Sequence, residues 1–513
     1  MMLRYLHRAR LLVLVMTVLL ATLPARGGAH AAPGAADFAA IDAYVQQQVR
    51  DAGVPGVTLG IVHGDAIVHL RGFGSVDGGT HPATPQTPFV IGSVSKSFTA
   101  LAIMQLSEGG KIDLDTPARR YLPWFRLADV TASDRITVRQ LLNQTSGIPT
   151  EAGLTPLREP AQTLEAQVRA LAGVRPISAP GTTFTYSNAN YEVLGLIVQT
   201  VSGQPYASYV QHHIFAPLAM THSYTTDDAA RRDGLGTAST FFFGMRRDRR
   251  PFYRPDFLPA GFLISSAEDM AHYLVAQMNG GRYGGRVILS PAGIATLHRP
   301  AVQQPAPGGQ AFYAMGWVVS TVNGIPLIWH NGSSTDMHAM IVIEPQGRWG
   351  VVMLYNATGT LYEVSQKLDT ITVGVASMVA GREPQGTLRG LYIGFDLLVV
   401  LVTASQLRAL IRLVRGRSTP RRPRPRFLAW LRHPVLGWFW FGYSKVLVPA
   451  AILVAVPRFL SAPWTSLART DLGLWLLVFA LLQLVRGALW LGRELHLGPL
   501  GRRSMQSSAT PAT

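Results

Sequence analysis

The 513-residue chain contains no cysteine. That excludes disulfides and thiolate metal sites, and it is compatible with any compartment. Lysine is almost absent as well: four lysines stand against 42 arginines. Arginine serves for a surface charge or an ion pair, but it cannot give up its proton, whereas a partly buried lysine can. One of the four is Lys96, three residues after Ser93 in "FVIGSVSKSFTALAIMQL". Acid is scarce only locally. Residues 1–31 hold four arginines and no acid, residues 32–381 hold 24 basic and 25 acidic residues, and residues 382–513 hold 18 basic against four acidic. The formal net charge of +17 therefore belongs largely to a C-terminal tail. A basic tail of this kind is poor evidence for a nucleic-acid partner, and none is expected.

The two ends read as targeting and membrane segments. Arg4, Arg8 and Arg10 precede a run of thirteen apolar residues, 11–23, followed by the small-residue stretch "ARGGAHAAP". That pattern predicts an export signal over 1–31, cleaved after Ala31. At the other end, residues 390–411, 435–456 and 472–491 are apolar stretches of spanning length, which predicts a membrane domain over 382–492. The stretch 408–433 around the first connection carries nine arginines and no acid, and the second connection carries two. The positive-inside rule then puts the arginine-rich loop and the tail 493–513 in the cytoplasm. Three spans require residues 32–381 to be outside, where an export signal would send them. The expected localisation is the cell membrane, with the bilayer as partner.

No internal repeat is evident in the exported segment. "FAAIDAYVQQQVRDAGVPG" has apolar residues at helical spacing and a Gly/Pro stop. "GVTLGIVHGDAIVHLRGFGSV" alternates, turns at "HGD" and alternates again, as a β-hairpin does. A helix follows Ser93 and stops at Gly109-Gly110. "IPLIWHNGSS" and "HAMIVIEPQGRWGVVMLYN" read as neighbouring strands, the latter a hairpin around "PQG". Strands at both ends with helices between them predict an α/β domain whose sheet joins the two termini. The length of the segment calls for a helical lobe in addition.

Ser93 and Lys96 lie where a strand-like segment passes into a helix. Three residues on a helix bring two side chains to one face, about 5 to 6 Å apart. A desolvated Lys96 there can become a neutral amine and take the serine proton, and the orphan N–H groups of a helix start face the same place. Two further stretches carry polar groups at the edges of apolar elements: Tyr186-Ser187-Asn188 before a helix, and His330-Asn331-Gly332 ending an apolar strand. As "SVSK", "YSN" and "HNG", in that order, the three resemble the active-site motifs of the serine β-lactamase and penicillin-binding superfamily. The tyrosine version, with histidine in the third box, is most similar to the class C β-lactamase-like branch with its D,D-carboxypeptidases, D-aminopeptidases and esterases. "LLNQTSGIP", "GFLISSAEDMAHYL" and "YAMGW" add to the resemblance, which covers roughly residues 38–380.

The resemblance implies a β-lactamase/transpeptidase-like antiparallel sheet flanked by helices, and no metal or cofactor. It implies Ser93 as nucleophile, Lys96 as its proton partner, and Tyr186 sharing the base role with its phenol drawn toward phenolate by the ammonium. Asn188 would orient the substrate's amide. The backbone N–H groups of Ser93 and Ser333 would form an oxyanion hole, and Gly332 would let the substrate lie against the strand. Gln144, where relatives often have histidine, reads as structural. No lysine or arginine occurs from Pro300 to His330, so a substrate carboxylate would meet only His330, partly charged near its usual pKa of ~6.5, and nearby hydroxyls. The cluster "RRDRR" at 246–250 reads as a solvated loop; folded over the site it would supply a cation. The expected function is a membrane-anchored serine hydrolase acting on a small-molecule or peptide substrate, a cell-wall peptide, D-amino acid peptide or ester. The alternative is a penicillin-binding or sensor module that acylates without turnover.

Overall fold

The computed structural model describes residues 36–384, apart from 78, 159, 243–244, 306–309 and 360–361, together with 399–409, 411, 447–459 and 471–497. The chain divides into two compact units, residues 28–386 and a second made of 1–27 with 387–513.

In the first unit, helix α1 (Phe38–Ala52) starts where Asp37 accepts a hydrogen bond from the Ala40 amide, and it ends at Gly53 in the left-handed conformation, φ 68°. Only glycine adopts that conformation without strain. The expected hairpin follows as β1 (Gly56–His63) and β2 (Ala66–Gly74). The remaining strands of the main sheet come some 230 residues later: β3 (Val302–Gln304), β4 (Ala311–Ala314), β5 (Trp317–Val322), β6 (Ile325–Ser333), β7 (His338–Glu344) and β8 (Trp349–Tyr355). Their order is β2-β1-β8-β7-β6-β5-β4-β3, antiparallel throughout. The N-terminal hairpin thus closes onto the C-terminal meander through the β1–β8 pairing, in which Gly60 faces Val352.

Side chains alternate between two cores, as the period of two in a strand requires. Met340 and Val342 of β7 join Leu59, Val351 and Met353 on one face, covered by Ile41, Val45 and Val49 of α1 and by Leu368, Ile371 and Val375 of the C-terminal helix of this unit, Tyr362–Val379. Ala339, Ile341 and Ile343 face the other way, into a larger core shared with the helical lobe. Both faces of β1, β7 and β8 are therefore dry, which explains why β7 and β8 read as continuous apolar runs.

The lobe is built around α2 (Ser95–Glu108), whose residues from Ser95 to Met104 are all buried. Helix α3 (Asn188–Ser202) and helix α4 (Ala267–Met278) pack in the same core. Numbered on, Tyr362–Val379 is α5. Phe98 stacks on Tyr273 of α4 at 4.1 Å between ring centroids, and each such fully buried aromatic contributes about 1.5–3 kcal/mol from area alone. A helix enclosed on all sides holds the residues at its start rigidly.

In the second unit, helix forms at 399–409, Val448–Phe459 and Asp471–Leu497, and the Trp475 indole donates to Thr403 Oγ1 at 2.8 Å. Among the described residues no helix is long and apolar enough to cross a membrane. The expected signal over 1–31, large parts of the first two expected spans, the greater part of the arginine-rich loop and residues 498–513 lie outside the described residues.

Candidate active site

The Ser93 turn is set by two glycines in contact. After the short strand Phe89–Val90, paired with Ile264–Ser265, the chain passes Gly92 at φ +54° into a tight helical turn and then α2. A Cβ on Gly92 would stand 2.6 Å from the Ser333 amide nitrogen, and a Cβ on Gly332 would stand 2.2 Å from Ile91 O and 2.6 Å from the Ser93 amide nitrogen. No side chain fits there, so β6 and the Ser93 turn meet backbone to backbone. The neighbour that Gly332 admits is the Ser93 turn, where the sequence suggested a substrate. The same contact places the Ser93 and Ser333 amides side by side.

Lys96 is fully buried. Its Nζ lies 2.9 Å from Ser93 Oγ, 2.8 Å from Asn188 Oδ1 and 2.5 Å from Ala260 O. Burial pulls its pKa from 10.5 down to about 7, against the upward pull of Glu192. The partners decide what a neutral amine does here. Asn188 Oδ1 and the Ala260 carbonyl can only accept, and they take the two remaining N–H groups. Of these three partners, Ser93 alone carries a proton to give, so the lone pair falls to its hydroxyl.

Tyr186 presents its ring to Lys96, with Nζ 4.9 Å from the centroid. Burial, with Tyr313 adding to it, pushes the phenol well above its ordinary value; its hydrogen bond with Ser93 acts the other way and is outweighed. The expected drift toward phenolate is therefore corrected: a lysine whose own pKa burial has brought down to about 7 cannot outweigh burial of the phenolate. Tyr186 keeps its proton in this site.

Asn188 begins α3, with Oδ1 on Lys96 and Nδ2 on Gly153 O at 3.2 Å. Its oxygen holds the lysine, and one N–H of its amide goes to the Gly153 carbonyl. Gln144 sits at φ 60° and is buried, its Oε1 accepting from the Ser187 amide at 3.0 Å and from Asn190 Nδ2 at 2.5 Å. It braces the tyrosine motif, which is the structural role expected of it.

His330 reaches the same interior from β6, with Nδ1 2.6 Å from Asn331 O and Nε2 3.4 Å from the Tyr313 hydroxyl. Burial, and next the Lys96 charge, lower its pKa to about 3. The expected partial charge is thus corrected; a buried imidazole beside an amine stays neutral. The arginine cluster 246–250 is exposed, as expected, but through Arg249 it lies in a strand rather than a loop. Residues Met245–Arg249 form a strand against Ala238–Phe242. Arg249 docks on the loop after β6, giving hydrogen bonds to Thr335 Oγ1 at 2.7 Å and Asp336 Oδ2 at 3.0 Å. Asp336 is fully buried and also accepts from the Phe252 amide and Ser334 Oγ.

Glu192, one helical turn beyond Asn188, went unnoticed in the sequence. It is buried, its Oε1 has no hydrogen-bond partner, and burial drives its pKa to about 8 despite Lys96. A glutamate in an otherwise apolar helix, "YEVLGLI", was the available signal. Among the described residues no cluster of three or more His, Asp or Glu side chains is placed to hold a metal.

An antiparallel sheet closed by both ends of the first unit, with a Ser-x-x-Lys pair at the foot of an enclosed helix, defines an α/β protein of the β-lactamase and penicillin-binding type. The family model "Beta-lactamase" matches residues 41–372, and the chain belongs to that family. It is 28% identical over 388 residues to Protein flp of Staphylococcus aureus (strain COL), covering 72% of this chain and 73% of that protein. It is 29% identical over 306 residues to penicillin-binding protein 4 of Amycolatopsis lactamdurans, 57% of this chain and 78% of the other. Among solved structures, it resembles the octameric penicillin-binding protein homologue from Pyrococcus abyssi with a TM-score of 0.61 at 27% identity, over 69% of this chain and 80% of that one.

Proposed function

We propose that the protein is a membrane-anchored serine hydrolase that cleaves an ester or amide through an acyl-enzyme on Ser93. The observation that carries the reading is the lysine's set of partners, which leaves the lone pair of neutral Lys96 to the Ser93 hydroxyl. In this mechanism Ser93 Oγ attacks the carbonyl carbon as its proton passes to Lys96 Nζ. The Ser93 and Ser333 amides receive the oxyanion, preformed donors in a dry site being worth far more than in water. As the tetrahedral adduct collapses, Tyr186 gives its proton to the leaving oxygen or nitrogen and recovers one from the Lys96 ammonium. Water then repeats the sequence on the acyl-serine.

The wall beside the third motif supports an uncharged scissile region. His330 is neutral, and the Arg249 charge is paired with Asp336. A neutral ester or amide, such as an interior bond of a D-amino acid peptide, suits it better than a substrate held by a carboxylate. Acylation without turnover is the second reading, favoured by the penicillin-binding names of two of the similar proteins. The three apolar stretches over 382–492 and the +14 charge of residues 382–513 support anchoring, with the catalytic domain outside and the tail in the cytoplasm.

Mass spectrometry of the protein treated with a fluorophosphonate, a penicillin and an uncharged D-amino acid ester tests the proposal. Mass added at Ser93 and lost again with the ester is the expected result; a stable adduct with all three would favour the second reading. Ser93→Ala should abolish labelling and lower turnover by about 10³-fold or more. Labelling that persists in it would move the nucleophile elsewhere.

A further inference from the structure

Ser333 ends β6, and its backbone amide is the second donor of the oxyanion site in the hydrolase reading, on which this inference rests. Its side chain turns the other way. Along β6, His330 and Gly332 face the nucleophile, whereas Asn331 and Ser333 face α5, as the alternation of a strand dictates. Ser333 Oγ lies 2.7 Å from Nδ1 of His338, its cross-strand neighbour on β7. His338 Nε2 lies 2.9 Å from Asp369 Oδ1 on α5. The other oxygen of Asp369 accepts from Asn331 Nδ2 at 2.7 Å. His338 is fully buried, and the Tyr355 ring lies beside it at 5.7 Å between centroids. With the carboxylate accepting from Nε2–H, Nδ1 is left to accept the Ser333 hydroxyl.

A single carboxylate on α5 thus holds both of the outward residues at the end of β6, one directly and one through an imidazole. This is where the strand breaks off into the loop 334–337. We propose that His338 and Asp369 are positioning residues for the oxyanion wall: they fix the end of β6, and with it the Ser333 amide, against the Ser93 amide. An oxyanion donor acts only within a few tenths of an ångström of its working distance, and orientation of a site by residues behind it is a general device. Neither residue touches the substrate, since both lie on the opposite face of the sheet from Ser93.

His338→Gln and His338→Asn separate the two ends of the clamp. Glutamine reaches toward Asp369 and abandons Ser333; asparagine sets a polar atom near the Nδ1 position and abandons Asp369. With an uncharged p-nitrophenyl ester, kcat should fall roughly 10- to 100-fold in His338→Gln, less than the 10²–10³ for outright loss of a donor, while KM changes by less than about threefold. His338→Asn, which cuts the link to Asp369 instead, should lose as much. Ser333→Ala, which keeps the amide and drops the hydroxyl, should behave as His338→Gln does. The carbon-13-labelled acyl carbonyl should absorb at higher infrared frequency in the impaired variants, because a poorly held amide polarises it less. If His338→Gln does not fold, Asp369→Asn at the more exposed end carries the same comparison. Wild-type kcat and an unshifted carbonyl in the variants, with normal acylation of Ser93, would overturn this inference alone. A wild-type protein that takes up no acyl group at Ser93 would overturn the hydrolase reading and this inference with it.

Discussion

Lowering the pH from 8 to 5 should switch the protein off through one group. Lys96 has its pKa near 7, so the neutral fraction is about 0.9 at pH 8, about 0.1 at pH 6 and about 0.01 at pH 5. If the neutral amine takes the Ser93 proton, kcat/KM for an uncharged ester falls about tenfold per pH unit below 7 and levels off near 8. Among the neighbouring groups, His330 titrates near 3 and the Tyr186 phenol is raised well above its ordinary value, while Glu192, near 8, stays protonated along the limb and titrates only at its upper end. Lys96→Arg supplies the control. The guanidinium keeps a positive charge but cannot deprotonate in this range, so the variant should lose about 10³-fold or more at pH 8 and show no tenfold-per-unit limb. The assay is initial-rate hydrolysis of a neutral p-nitrophenyl ester in constant-ionic-strength buffers, corrected for spontaneous cleavage. A flat wild-type profile between pH 5 and 7, or near-normal rates in Lys96→Arg, would refute the assignment of Lys96 as base.

The other predictions concern the surroundings of that lysine. Glu192 has a folded pKa of about 8 against an ordinary 4.5, so across that window the folded protein keeps a proton that the unfolded chain has lost, and stability falls as pH rises. Glu192→Gln should therefore gain stability relative to wild type between pH 4.5 and 8, by at most roughly 5 kcal/mol from the size of the shift, as read by urea unfolding at both pH values. An equal difference at the two pH values would count against the buried carboxyl. Gly332→Ala would bring a methyl to 2.2 Å from Ile91 O; turnover should fall at least about tenfold with the displaced oxyanion amides, and an unimpaired variant would show that the turn has slack. Arg249→Ala leaves the fully buried Asp336 without its guanidinium; it should cost about 1–3 kcal/mol by thermal or urea unfolding, and a cost near zero would mean that the Phe252 amide and Ser334 satisfy the carboxylate alone.

Much of this protein was decided by local sequence. The α1 periodicity and its Gly53 stop, the alternation of β1 and β2, and the β7–β8 hairpin depend on neighbours a few residues apart, and the sequence shows them directly. The three-residue step from Ser93 to Lys96 on the same helical face is legible for the same reason, and the scarcity of lysine made it conspicuous. Other properties belong to tertiary structure because their causes are distant in the chain. Lys96 owes its state to desolvation and to acceptors 92 and 164 residues away, so the spacing could nominate it as a base without fixing its proton. The charges of His330 and Tyr186 were misjudged on the same ground: burial sets them, and a motif carries no record of burial. Arg249 finds Asp336 across 87 residues and His338 finds Asp369 across 31. Local pattern chose the elements and nominated the candidate reacting residues, whereas packing set their protonation, because the cost of an ion depends on everything that displaces water around it.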